Sequence, residues 1–96
     1  MRVYLSLPKN SQLKKEIDVT ISELKKDPTK GERIQQRLWP KKYITEHNIN
    51  NLFRYRLGAG YRLTYTIVGR QNGTVSVILD ALNHKDYDEL FGYHSS

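Results

Sequence analysis

From Leu52 to Leu57 the chain alternates Phe53, Tyr55 and Leu57 with Arg54 and Arg56. From Tyr61 to Ile67 it alternates Tyr61, Leu63, Tyr65 and Ile67 with Arg62, Thr64 and Thr66. A two-residue period is that of a strand buried on one face. Gly58-Ala59-Gly60 lies between the two runs, and glycine takes positive φ at little steric cost, so a short hairpin is expected. Pairing Leu57 with Tyr61 sets Arg56 opposite Arg62 and Arg54 opposite Thr64. Three guanidinium groups then share one face. Like charges facing each other across a sheet repel, so this arrangement calls for an anion between them, unless the arginines simply reach water or nearby carboxylates.

Beyond Ile67 the chain turns at Gln71-Asn72-Gly73, and Val75, Val77 and Leu79 carry the next apolar positions. A two-residue turn at Asn72-Gly73 would pair Tyr65 with Asp80. A three-residue loop pairs Ile67 with Val77 and Tyr65 with Leu79, and the apolar match favours it, with Gly73 as a left-handed bulge residue. Asn72-Gly73-Thr74 also fits a glycosylation sequon, but without a secretion signal it reads as a turn.

Upstream, Val3, Leu5 and Leu7 alternate with Arg2, Tyr4 and Ser6, predicting a first strand that Pro8 ends. Asn10 or Ser11 can cap a helix whose stripe is Leu13, Ile17, Ile21 and Leu24, with Lys14, Lys15, Lys25 and Lys26 off it. Asp27-Pro28 stops that helix. Between Thr29 and Asn51 the pattern blurs. Ile34 and Leu38 suggest a short helix broken by Trp39-Pro40, and Tyr43, Ile44 and Ile49 punctuate a polar connection. The tail from Asn83 to Tyr93 predicts one short helix. The expected fold is α+β: a small antiparallel sheet, formed by the N-terminal strand plus a C-terminal three-stranded meander, packed against one or two N-terminal helices and followed by a short C-terminal helix.

Length bounds this to one domain spanning residues 1–96, large enough to bury roughly 60 to 70 % of its unfolded surface. Lysine plus arginine number 16 against 10 aspartates and glutamates, a formal charge of +6, which favours polyanionic partners such as nucleic acid or an acidic protein segment. There is no cysteine, so disulfides and thiolate metal sites are excluded. The N-terminus lacks the length of a signal h-region, and nothing approaches the roughly 20 apolar residues of a membrane span. A soluble, cytoplasmic protein with no membrane partner is expected.

Gly58-Ala59-Gly60 is not a phosphate-binding fingerprint, because no lysine followed by serine or threonine comes after it. No metal site is expected, since His47, His84 and His94 lie far apart and Asp80, Asp86, Asp88 and Glu89 lack a calcium-loop pattern. No small-molecule cofactor is implied. What remains is a basic face with aromatic residues beside it, which suits RNA. Cleavage of RNA can use the substrate's own 2'-hydroxyl as nucleophile, so the protein need only orient it, move two protons and stabilise the phosphorane. Arginines suit the last task. For proton transfer, His84 is the candidate of a residue type that titrates near neutrality, whereas Lys85 and Tyr93 would need shifted values. Trp39 is either a core anchor or a stacking platform for a base, and Lys41 and Lys42 beside it fit both.

At these residues the sequence resembles a known family. LFRYRLGAGYRLTYTI followed by VSVILDALNHKDYDELFGY is similar to the RelE/ParE toxins of type II toxin–antitoxin modules, most of all the RelE-like proteins of archaeal type. The resemblance is clearest from Asn51 to Tyr93. It implies a ribosome-dependent mRNA endonuclease that inhibits translation, and an acidic antitoxin that wraps and inactivates it, so the implied partners are antitoxin, ribosome and mRNA. The family's paired basic residues fall on Arg54 and Arg56, with a loop one residue shorter here, and its motif arginine falls on Arg62. Its basic tail residue falls on Lys85, or else His84. Its tail tyrosine falls on Phe91, which has no proton to move, leaving that role to Tyr87 or Tyr93. Tyr87 also joins Arg54, Arg56, Arg62, Lys41 and Lys42 as an expected RNA contact. Two other functions use the same scaffold: a non-catalytic RNA or protein binder, and a ParE-like gyrase inhibitor.

Overall fold

The computed structural model describes residues 11–92; the expected strand at Arg2–Leu7, the alternative cap Asn10 and the candidate Tyr93 lie outside them. The described residues open with helix α1 (Gln12–Lys26), capped by the Ser11 hydroxyl, which accepts from the Lys14 amide. It continues through strand β1 (Glu32–Arg33), helix α2 (Lys41–His47), strands β2 (Phe53–Arg56), β3 (Arg62–Arg70) and β4 (Gly73–Leu82), and helix α3 (His84–Phe91). The four strands form one antiparallel sheet in the order β1-β2-β3-β4. No helix among the described residues is long and apolar enough to cross a membrane.

The alternation along β2 and β3 separates two cores. On one face Phe53, Leu57, Leu63, Tyr65 and Ala81 pack under the α1 stripe, where Ile17 and Leu24 are fully buried. On the other face Ile34, Tyr43, Ile49, Leu52 and Leu79 form a second cluster, with Trp39, Leu90 and Phe91 against it. Each fully buried aliphatic or aromatic side chain contributes about 1.5–3 kcal/mol. Both sides of the sheet are therefore anchored, and the arginines of the second face stand beside a packed cluster.

The first hairpin has the expected register: Arg56 pairs with Arg62, Arg54 with Thr64, and the Leu57 amide reaches the Tyr61 carbonyl at 2.8 Å. Gly60 takes φ +76°, as the loop requires, and the Gly58 amide donates to Glu16 of α1 at 2.7 Å.

The second hairpin corrects the sequence reading. Its loop is the two residues Gln71-Asn72, with Arg70 paired to Gly73 at φ +127°, so Tyr65 meets Ile78 rather than Leu79 and Ile67 meets Ser76 rather than Val77. A shift between Thr64 and Tyr65 then restores the expected register, so that Thr64 meets Asp80 and Leu63 meets Ala81. The packed end of the sheet decides its own pairing, because Ala81 must lie under α1 and Leu79 in the second core. The distal turn takes the tighter loop and a bulge absorbs the difference. The consequence is that Val75 and Val77 are exposed instead of forming an apolar face.

The blurred region also differs from expectation. Ile34 and Leu38 do not share a helix. Glu32–Arg33 adds an edge strand to β2, Gln36–Leu38 is a single 3-10 turn, and Pro40 starts a helix rather than ending one. Proline has a fixed φ and no N–H, so it suits a helix entry, where amide donors lack intrahelical partners. Asn48, at φ +49°, closes α2.

β1 reaches β2 through a close approach at Gly31. Its amide donates to the Tyr65 hydroxyl at 3.0 Å, and that hydroxyl donates to the Pro28 carbonyl at 2.7 Å. A Cβ on Gly31 would lie 2.6 Å from the Arg54 carbonyl oxygen, which is main chain and cannot swing away. Gly31→Ala is therefore expected to lower stability by about 1–3 kcal/mol, the usual cost of overpacking, and to loosen β1 from the sheet. Chemical denaturation with an unchanged midpoint would contradict this.

Candidate RNA-binding and cleavage site

The second face of β2 and β3 presents Arg54, Arg56 and Arg62, and α3 lies across it. Asn83 starts that helix by accepting the Asp86 amide at 2.7 Å, and Gly92 ends it at φ +73°. Its inward position is Tyr87, 2 % exposed, whose ring stacks on Phe91 at 4.3 Å. Phe91 in turn meets the edge of Tyr43 at 6.3 Å. Phe91 is thus a packing residue that holds Tyr87 in place.

Tyr87 sits between two guanidinium groups. Arg62 lies 4.9 Å from its ring centroid and Arg54 6.0 Å, and Arg54 Nη1 donates to its hydroxyl at 2.9 Å. That hydrogen bond, ahead of the Glu32 carboxylate, pushes the Arg54 guanidinium further above its already high value. Arg54 Nη2 reaches Glu32 Oε2 at 3.2 Å and Arg56 Nε reaches Glu32 Oε1 at 3.4 Å. The anion that the arginine pattern calls for is therefore partly supplied by β1. Glu32 is 56 % exposed, and a solvated pair of this kind contributes about 0–1 kcal/mol, so a phosphate can displace it. Arg54 Nε and Arg62 Nε are both buried without a hydrogen-bond partner among the described residues. Buried unmet donors cost about 1–3 kcal/mol each, which makes this face a strained cationic surface.

Arg62 also sets the chemistry of His84, the first residue of α3. Arg62 Nη1 lies 3.1 Å from His84 Nδ1, and His84 Nε2 lies 3.2 Å from Asp88 Oδ2 one helical turn on. Guanidinium can only donate, so the contact is a hydrogen bond in the tautomer whose Nδ1 accepts and whose Nε2–H faces the carboxylate. An arginine, an imidazole and an aspartate thus form a chain at the rim of the face. Deeper in, the Tyr43 hydroxyl meets Thr64 Oγ1 at 2.8 Å and donates to Asp80 Oδ2 at 2.7 Å. Burial pushes that hydroxyl well above the ordinary phenol range, so Tyr43 is a structural donor and not a base.

The structure brings together Arg54, Arg56, Arg62, His84 and Tyr87 of the expected set. Lys85 is exposed beside His84, and no hydrogen bond or ion pair among the described residues joins it to the cluster. Lys41 and Lys42 stand exposed at the start of α2 and likewise make no bond to the arginines. Sequence reasoning missed Glu32, which sits in a strand of two residues where no alternation can be read. It also missed the pairing of Asp88 with His84, although their i, i+4 spacing on a helix could have revealed it. No family model matches this chain, and neither a curated protein nor a solved structure matches it.

Proposed function

We propose that this chain is a RelE-like toxin, an endoribonuclease that cuts mRNA on the ribosome in the cytoplasm and is held in check by an acidic antitoxin. The observation that carries the reading is the 3.1 Å contact between Arg62 and His84 on a face where two buried guanidinium nitrogens lack partners. A scissile phosphate drawn to Arg56 and Arg62 takes Arg62 away from the imidazole and leaves the Nδ1 lone pair open. Nδ1 then accepts the proton of the RNA 2'-hydroxyl while Asp88 holds the ring by its Nε2 proton. The 2'-oxygen bonds to phosphorus, the P–O5' bond breaks, and the products are a 2',3'-cyclic phosphate and a 5'-hydroxyl. The arginines stabilise the extra charge on the phosphorane. The proton for the leaving oxygen comes from a second donor, for which Lys85 and Tyr93 remain the sequence candidates.

A non-catalytic RNA binder is the second reading, and Phe91 favours it, since it is packed against Tyr87 where the family carries a tyrosine. Expression of the chain alone is expected to arrest growth with loss of translated mRNA, and co-expression of its acidic partner to restore growth. Arrest with mRNA intact and DNA supercoiling lost would replace this reading with gyrase inhibition.

A further inference from the structure

Beyond the arginine face, the segment between β1 and α2 opens two adjoining clefts that share Arg33, Ile34 and Gln35 as a common wall. One, of about 200 Å³, is lined also by Arg37, Leu38 and Arg54. The other, of about 220 Å³, is lined also by Gln36, Trp39 and Asn50. Pockets for whole drug-sized ligands run to roughly 300–1,000 Å³, so each cleft is on the scale of a single phosphate or a single base.

We propose that these clefts bind one nucleotide of single-stranded RNA next to the cleavage face, its phosphate between Arg37 and Arg54 and its base against Trp39. The proposal rests on the RNA reading of the arginine face and is independent of cleavage. Arg54 belongs to both places: it lines the first cleft and also contacts Tyr87 and Glu32 on the face. A strand lying on Arg56 and Arg62 therefore has a continuous cationic path past Arg54 to Arg37.

The side chains are held ready for this. Arg37 Nε donates to Gln35 Oε1 at 2.9 Å, which orients the guanidinium while leaving its other donors for a ligand. Arg33 pairs with Phe53 and stands over its ring at 5.9 Å, on the α1 face of the sheet, so it is not one of the phosphate ligands. Among the described residues Arg37 has no carboxylate within ion-pair distance, in contrast to Arg54 and Arg56. The Trp39 indole donates its N–H to the Ile34 carbonyl at 2.9 Å. Its one polar donor is spent, and the half-buried ring offers the cleft an apolar surface, which suits stacking on any base. Gln36 and Asn50 provide amides beside it that can meet base edges. Arg37 and Arg54, rather than Lys41 and Lys42, are the cations that serve the first cleft.

Trp39 is the chain's one tryptophan, so its emission reports on this place. The test titrates the full chain with a short 2'-O-methyl oligouridine, which has no nucleophilic 2'-hydroxyl. Binding is followed by anisotropy of a label on the oligonucleotide and, separately, by Trp39 fluorescence. The expected result is saturable quenching of Trp39 that tracks binding, with Arg37→Gln reducing the slope of log K against log salt by about 0.7. The Arg37 side chain is exposed, and circular dichroism checks that the variant folds. If the oligonucleotide binds with Trp39 emission or the Arg37→Gln slope unchanged, RNA takes another path and this proposal fails while the RNA reading stands. If it does not bind the wild-type chain at all, both fail.

Discussion

Replacing Arg62 by alanine is expected to slow cleavage of ribosome-bound mRNA by about 10²–10³, the loss typical of removing one preorganised donor to a developing charge. Arg62 is half-buried, stacks on Tyr87 and contacts His84, so it couples the arginine face, the proposed phosphate site, to the imidazole. Its removal takes away transition-state charge stabilisation and the cation that poises Nδ1. It also removes one phosphate contact, so the slope of log K against log salt for RNA binding should fall by about 0.7–0.9, as it should for Arg56→Ala. Loss of the cation–π contact costs about 0.5–2 kcal/mol of stability, so the comparison is made well below the melting temperature. An Arg62→Ala protein that folds and cleaves like wild type would remove this residue from the site.

His84→Ala carries the other large expectation, a fall of about 10²–10⁴ in single-turnover cleavage, the usual effect of losing a general acid or base. The limb of the pH–rate profile that belongs to the base should disappear with it, whereas Arg62→Ala lowers the rate without removing that limb. Asp88→Asn keeps the imidazole but removes the carboxylate opposite Nε2, so it should reduce the rate less than His84→Ala and shift the balance between ring tautomers, read from the imidazole nitrogen resonances. Lys85→Ala tests the alternative basic residue of the tail. If Lys85→Ala removes the limb and His84→Ala leaves it, the base is the lysine and the 3.1 Å contact is structural.

The legible part of this chain was the part with regular periods. The two-residue alternation from Phe53 to Ile67 and the glycines between its halves gave the hairpin, its register and the shared face of Arg54, Arg56 and Arg62. The 3.6-residue stripe through Ile17 and Leu24 gave α1. The second hairpin misled because matching apolar residues along one register ignored the bulge, which lets Leu79 and Ala81, two residues apart, serve opposite cores. Between Gly31 and Pro40 the elements are only two or three residues long, so no period exists to read, and tertiary contacts such as Tyr65 to Gly31 decide them. Glu32 was hidden for that reason, and with it the partial neutralisation of Arg54 and Arg56. The imidazole–carboxylate pair at His84 and Asp88 follows from helical spacing alone. The approach of Arg62 to His84 does not, because it depends on how α3 lies across the sheet.

The most direct measurement is single-turnover incubation of the wild-type chain with mRNA positioned in the ribosomal decoding site, followed by analysis of the RNA ends. The account predicts cleavage within the exposed codon, with a 2',3'-cyclic phosphate on the upstream fragment and a 5'-hydroxyl on the downstream one, and none on an mRNA carrying a 2'-O-methyl group at the scissile nucleotide. Intact mRNA, under conditions where the chain binds RNA, would contradict it and leave a protein that binds RNA without cutting it.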